Sequence, residues 1–314
     1  MELVFGPVLS RRLGMSLGIN NIPYKHCSYS CIYCQLGRTI HLEIIRSYFF
    51  STKDIVSEVI RALSRTKKVD YITFVPDGEP TLDINLGKTI NSLKKEVSIP
   101  IAVLTNGSLL FREDVRQDLY EADLVSIKID ANSEEIFKKI NRPHPDLKLS
   151  TVLGGILEFS KYYKGKLITE TMIISNINDN MSELIGIARF IKELNPYKAY
   201  IAIPTRPPAE SWVKPASEQV ICFAYHKFLE HIPNRVELLI ESGEGKFEKI
   251  SGDPIKDLLS IVSVHPMELN HAFDFLSKTD LDPETILSEL IERGEITIVN
   301  YLDKKFVIRK HISK

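Results

Sequence analysis

The sequence predicts an α/β protein: a parallel sheet of six strands covered by helices, then a small module of three helices and a terminal hairpin. Three observations carry this. Short runs rich in Val, Ile and Tyr alternate with longer stretches of helical periodicity. The alternation stops at 246–254, KFEKISGDP, where Gly and Pro interrupt it. Beyond that break the helical patterns are short and two strand-like runs close the chain.

The six strands are expected at 16–22, 71–77, 101–107, 124–130, 167–175 and 199–204. The stretches 54–65, 86–97, 149–163 and 181–194 place apolar residues at helical spacing and are expected to pack on the sheet. Repeated strand-helix-strand units need right-handed crossovers, and six of them make either an open doubly wound sheet or a partial barrel. In both, ligands gather at the C-terminal ends of the strands. The chain therefore divides into 1–245, a linker at 246–254, and 255–314. In the last part, helices over 255–263, 267–277 and 282–294 precede two strands around a turn at Asp303 and Lys304, a winged-helix pattern.

With 44% apolar and 26% charged residues, 314 residues suffice for a sizeable core. A formal charge of −1 gives no whole-molecule field that would gather nucleic acid or an anionic membrane, so any polyanion site must be local. No run of 18 apolar residues occurs, and MELVFGPVLSRRLG lacks the features of a signal peptide. A cytoplasmic protein with no membrane partner is expected.

Three of the four cysteines fall in KHCSYSCIYCQLGRT, directly after the first strand. Crowding of this kind suits a metal centre, and in a reducing compartment the thiols are free to ligate one. Cys27, Cys31 and Cys34, spaced C-x₃-C-x₂-C, can hold three irons of a [4Fe-4S] cubane and leave the fourth open. The alternatives are a zinc site completed by His26, His41 or Cys222, or three buried apolar thiols. Cys222 lies in the helical stretch SEQVICFAYHKFL and reads as a small buried residue, with a hydrogen-atom donor as the sharper option.

The loop, with Tyr33 before its last cysteine, resembles the C-x₃-C-x-aromatic-C hallmark of the radical S-adenosylmethionine (SAM) superfamily. The resemblance implies a partial (β/α)6 barrel in which the open iron chelates SAM and an electron from the cluster cleaves it to a 5′-deoxyadenosyl radical. Downstream, Asp77-Gly78-Glu79-Pro80 is similar to the family's Gly-Gly-Glu-Pro element, with Asp77 in place of the first glycine. It implies that Gly78, Glu79 and Pro80 receive the SAM ammonium. Asn106, ending the third strand in Thr105-Asn106-Gly107, and Ser126, Lys128 and Asp130, at period two along the fourth strand, match positions that contact the SAM ribose and carboxylate. Ser126 and Asp130 are the ribose candidates. Ile201 and Ile203 are candidates for the adenine face, against the ordinary expectation that strand Ile is core.

The block 5–38 further resembles an uncharacterised group beside the wyosine base synthases, which act on tRNA. Those of archaeal type use a second cluster on three further cysteines, and only Cys222 remains here, so one cluster is expected. Arg11 and Arg12, before the first strand, and Arg206, in the rim segment Thr205-Arg206-Pro207-Pro208, suit a substrate carboxylate or phosphate. A winged helix would fit an RNA substrate, yet its helix 282–294 is acidic and only Lys304, Lys305, Arg309, Lys310, His311 and Lys314 make the tail basic, so a peptide stands level with RNA. The expected activity is hydrogen abstraction from a macromolecule, RNA or peptide, with flavodoxin or ferredoxin as electron donor. A redox-sensing DNA-binding regulator and an enzyme acting on a small metabolite are the alternatives; a sensor needs no SAM pocket.

Overall fold

The computed structural model describes residues 2–240, 253–277 and 282–310. Its larger part is built on one curled, open eight-stranded sheet in the order β1-β2-β5-β6-β7-β8-β9-β10. The strands are β1 Val4–Ser10, β2 Gly14–Ile19, β5 Tyr71–Phe74, β6 Ile101–Thr105, β7 Leu124–Lys128, β8 Lys166–Met172, β9 Lys198–Ala202 and β10 Val236–Leu239. Two short strands outside the sheet, β3 His26–Cys27 and β4 His41–Leu42, pair with each other in parallel.

Six of the eight are the strands read from the sequence, and from β2 onward every neighbouring pair is parallel. Two strands were not anticipated. Val4–Ser10 carries Gly6 and Pro7, which argue against a central strand; it stands at the sheet edge, antiparallel to β2, with a register shift between Phe5 and Val8. Val236–Leu239 is four residues long and closes the other edge. Arg11 and Arg12 therefore sit in the turn of an N-terminal hairpin. The expected strands also stop short at their C-terminal ends, where the backbone leaves the ladder to form the site loops: 71–77 ends at Phe74 and 101–107 at Thr105.

Helices α1 Thr52–Leu63, α2 Leu86–Glu96, α3 Glu113–Tyr120, α4 Glu134–Ile140, α5 Leu149–Tyr162, α6 Met181–Leu194 and α7 Glu218–His231 cover one face. Strand periodicity separates the two sides. Val103, Val125, Ile127, Leu167, Ala199 and Ile201 join the core beneath the helices. Ala102, Leu124, Ile168, Tyr200 and Leu239 fill the concave side with an apolar floor. On that same face, further toward the C-terminal strand ends, the pattern turns polar at Thr73, Ser126, Lys128 and Glu170. The site is this upper layer.

The C-terminal part has its own core of Leu258, Ile261, Phe275, Leu276, Leu287, Leu290, Ile296 and Val307. It comprises α8 Pro254–Val264, β11 Met267–Glu268, α9 Leu269–Ser277, α10 Pro283–Glu292 and the hairpin β12 Ile296–Tyr301 and β13 Lys304–Arg309, in the sheet order β11-β13-β12. Asp253 and Asp282 cap α8 and α10 by accepting from backbone N–H groups. The hairpin turn falls at Leu302 and Asp303, both at positive φ, one residue before the expected place. The strand Met267–Glu268 was read as helix. Residues 241–252, most of the expected linker, lie outside the described residues, as do His311 and Lys314.

Candidate active site

The cysteine loop is shaped by its surroundings. Cys27 lies in β3, while Ile32 is fully buried and Tyr29 packs edge-on against Phe137 of α4. The Ser30 and Ile32 amides donate to the Asn141 and Ile140 carbonyls at the end of α4, each at 3.0 Å. Arg38, beyond the last cysteine, is gripped by Glu210 through Nε and Nη2 at 2.8 and 2.9 Å, and Glu210 also takes Arg142 at 2.5 Å. These two guanidinium groups hold the Glu210 pKa down to about 2.

All three loop thiols line one cavity of about 400 Å³ at the C-terminal ends of the strands. Each receives a donor: Lys25 Nζ reaches Cys34 Sγ at 3.4 Å, Asn141 Nδ2 reaches Cys31 Sγ at 3.5 Å, and Asn106 Nδ2 reaches Cys27 Sγ at 3.7 Å. Burial raises the thiol pKa of Cys27, with Glu79 adding to it, and raises Cys31 to about 12, with Asp130 adding. Such thiols become thiolates when a cation ligates them. Among the described residues, no three His, Cys, Asp or Glu side chains converge on one single-ion position. The zinc alternative also loses its proposed fourth ligands. His26 is stacked on His41 and bonded through Nδ1 to Glu43 at 2.6 Å, and Cys222 is exposed on α7, which corrects the expectation that it is buried. Thiols spread around a void suit a cubane, whose irons occupy separate corners.

Beside the thiols, the segment 77–80 is packed tightly against the loop. Gly78 lies so close to the loop that a Cβ there would stand 1.8 Å from the His26 carbonyl oxygen. The Glu79 amide donates to that oxygen at 3.0 Å. The Glu79 carboxylate is 1% exposed and accepts from Thr81 N, Thr81 Oγ1, Thr105 Oγ1 and Asn106 N at 2.6–3.1 Å. Burial raises its pKa against those donors. Asp77 bonds twice to Asn20, N–H to Oδ1 and Oδ2 from Nδ2, both at 3.0 Å. Its Oδ1 is buried without a donor, although Asp77 lines the cavity. A buried acid oxygen without a donor, on a residue that lines the cavity, is a group that a cationic ligand there would complement.

The structure gathers Tyr33, Gly78, Glu79, Asn106, Ser126, Lys128, Ile203, Arg11, Arg12 and Arg206 around the same cavity. Pro80 and Asp130 are not among its lining residues. Pro80 opens a 3-10 turn, Pro80–Leu82, behind Glu79. Asp130 is spent on structure: Tyr33 Oη and Asn141 Nδ2 donate to its Oδ2 and Met172 N to its Oδ1, leaving Ser126 as the ribose candidate on that strand. Ile201, considered for the adenine face, is fully buried in the core under the helices, whereas Ile203 reaches the cavity.

Two residues were missed. Glu170 sits opposite Lys128 in the register and accepts from both Lys128 Nζ and Arg12 Nη1. Its place on the concave face, two residues beyond Ile168 in LITETM, was a signal in the strand's alternation. His265 lines the cavity from beyond α8, and no local pattern marks it.

The comparisons agree with this geometry. Residues 21–191 match the family model described as Radical SAM superfamily. The UPF0026 protein MJ1312 of Methanocaldococcus jannaschii is 45% identical, covering 98% of this chain and 96% of its own length, and a UPF0026 protein of Helicobacter pylori strain J99 is 31% identical over 95% and 94%. A weaker match, 23% identical over 63% of this chain and 57% of the relative, is a probable dual-specificity RNA methyltransferase RlmN of Thermotoga petrophila. Among solved structures, a radical SAM methyltransferase from Sphaerobacter thermophilus shares the fold at a TM-score of 0.53 and 14% identity, covering 73% of this chain and 67% of that one. The cysteine loop, the barrel that carries it and these matches together establish that the chain is an enzyme and belongs to the radical SAM superfamily.

Proposed function

We propose that Cys27, Cys31 and Cys34 hold a [4Fe-4S] cluster and that Glu79, Asp77, Asn106, Ser126, Lys128 and Ile203 receive SAM beside it, for hydrogen abstraction from a macromolecular substrate. The observation that carries this reading is the convergence of three loop thiols and a polar strand-end collar on one cavity. A bound cluster and SAM supply the electron and the hydrogen-abstracting 5′-deoxyadenosyl group; the chain supplies position and shielding. Glu79 is fixed by four donors and so presents the Gly78 backbone in one place. Tyr33, locked to Asp130, fixes the loop between the second and third thiols. Lys128, its pKa pulled down to about 8 by burial and held against further loss by Asp130, remains a cation for the SAM carboxylate. The apolar floor and the N-terminal hairpin, whose Phe5 ring packs on Gly18, give the concave face apolar walls.

The match to a probable RNA methyltransferase supports RNA over peptide, and the C-terminal module, whose Tyr301 reaches the Pro204 carbonyl beside the cavity, is the part of the chain we assign to such a substrate. A sensor of redox state would have no use for the collar around the thiols. The test is anaerobic incubation of the reconstituted protein with SAM and dithionite, following 5′-deoxyadenosine, beside Cys31→Ala. Product that depends on Cys31 supports the proposal; absence of SAM binding by a fully loaded protein overturns it.

A further inference from the structure

Among the residues lining the cavity, Arg206 and Arg12 carry positive charge that the SAM reading does not use. Arg12 and Lys128 share one carboxylate, Glu170. Arg206, from the loop after β9, has no carboxylate within hydrogen-bond reach among the described residues: Nη1 donates to Gln35 Oε1 at 3.2 Å and Nη2 to His265 Nε2 at 2.8 Å. With Lys128 turned to the SAM carboxylate, Arg12 and Arg206 stand against Glu170 alone and leave one positive charge on the cavity wall. Glu268, the carboxylate whose field reaches Arg206, is engaged by Lys304 at 2.8 Å.

This guanidinium is held in place by groups that do not neutralise it. Arginine only donates, so His265 Nε2 accepts and the imidazole is neutral with its proton on Nδ1. Burial and the neighbouring Arg206 and Arg11 keep the His265 pKa well below its ordinary value, in agreement. Burial also pulls the Arg206 pKa down to about 10, with Arg11 and Arg12 adding. The loop itself is pinned by the C-terminal module: Tyr301 Oη donates to the Pro204 carbonyl at 2.9 Å, two residues before Arg206. A buried cation among other cations is unfavourable unless an anion completes the site.

We propose that Arg206, positioned by Gln35 and His265 and flanked by Arg12, seats a phosphate of the substrate, so that the C-terminal module completes the substrate site. A phosphate offers oxygens to the Arg206 and Arg12 guanidinium groups together, and its charge of about −1 or more balances what Glu170 leaves. The planar fork suits phosphate oxygens as well. The inference rests on the reading of this cavity as the place where substrate meets SAM.

The test is titration calorimetry of the anaerobically reconstituted full chain with guanosine 5′-monophosphate, guanosine and a short single-stranded RNA. Binding of the nucleotide or the RNA, but not of guanosine, is expected, with at least about a tenfold loss in Arg206→Gln. Arg189→Gln, an exposed position on α6, should bind as the parent does. His265→Ala should weaken binding and His265→Gln, which keeps an acceptor, should restore it; circular dichroism reports whether each variant folds. Preference for the monophosphate assigns a terminal phosphate and preference for RNA the backbone, both in support. Equal affinity of Arg206→Gln and the parent, or of guanosine and its monophosphate, overturns the phosphate seat. Measuring 5′-deoxyadenosine on the same preparations separates the two ideas: Cys31-dependent product without Arg206-dependent binding sinks the phosphate seat alone, and the converse sinks the radical reading while the seat stands.

Discussion

A single methyl group at Gly78 should loosen the cluster loop. The added Cβ would lie 1.8 Å from the His26 carbonyl oxygen, 2.8 Å from its carbon and 3.2 Å from Ile22 Cγ2, and two of these three are backbone atoms that cannot rotate away. Relief means separating 77–80 from the loop, and with it stretching the 3.0 Å bond from the Glu79 amide to His26 O. Overpacking of this kind costs about 1–3 kcal/mol, and the lost hydrogen bond about 1 kcal/mol more. Together, about 2–4 kcal/mol corresponds to a fall in Tm of roughly 4–8 °C at about 2 °C per kcal/mol for a chain of this size. Because His26 precedes Cys27, iron retention should drop as well. The assay is thermal unfolding by circular dichroism of anaerobically loaded Gly78→Ala beside the parent, with iron counted per chain. A Tm within 1 °C of the parent at full iron content would refute the claim that close approach at Gly78 braces the loop.

Further expectations follow from the same geometry. Glu79→Gln must turn its amide toward one of four donors, so a donor faces a donor at a cost of about 1–3 kcal/mol; unchanged SAM affinity and Tm would contradict it. Asp77 is held up to about 6 by burial, against 3.8 ordinarily. The folded chain then binds the proton more tightly than the unfolded one, so stability contributed below about pH 4 is lost as pH rises through about 6, at most about 3 kcal/mol in all. Asp77→Asn should therefore gain on the parent between pH 5 and pH 7 in urea unfolding, and a parallel pair of curves would argue against it. Glu210→Gln weakens both the Arg38 and Arg142 contacts and should speed loss of iron to a chelator several-fold, with the visible absorbance of the cluster as the readout. Tyr33→Phe removes one of three donors to Asp130 and should lower stability by about 1 kcal/mol while the cluster still loads; loss of the cluster would give Tyr33 a larger part than bracing.

The alternation of strand and helix, the cysteine spacing and Asp77-Gly78-Glu79-Pro80 are local properties, and the sequence by itself determined them. Periodicity follows from which side of an element faces the core, and ligand spacing from the reach of one loop. Partnerships across the chain were decided only by the tertiary structure. Strand parity puts Ser126, Lys128 and Asp130 on one face, but Asp130 lies past the strand end, where Tyr33, Asn141 and Met172 consume its oxygens. Ile201 and Ile203 share that parity too, yet the chain leaves the sheet between them, so one packs under helices and the other reaches the cavity. Val4–Ser10 could not be read as a strand because Pro7 is tolerated there only at an edge, and which strand is the edge is a property of the assembled sheet. Glu170 gains its meaning from register against Lys128, and His265 from the docking of a module almost sixty residues beyond Arg206. Contacts of such separation depend on where folding brings distant segments together, and no window of neighbouring residues contains that information.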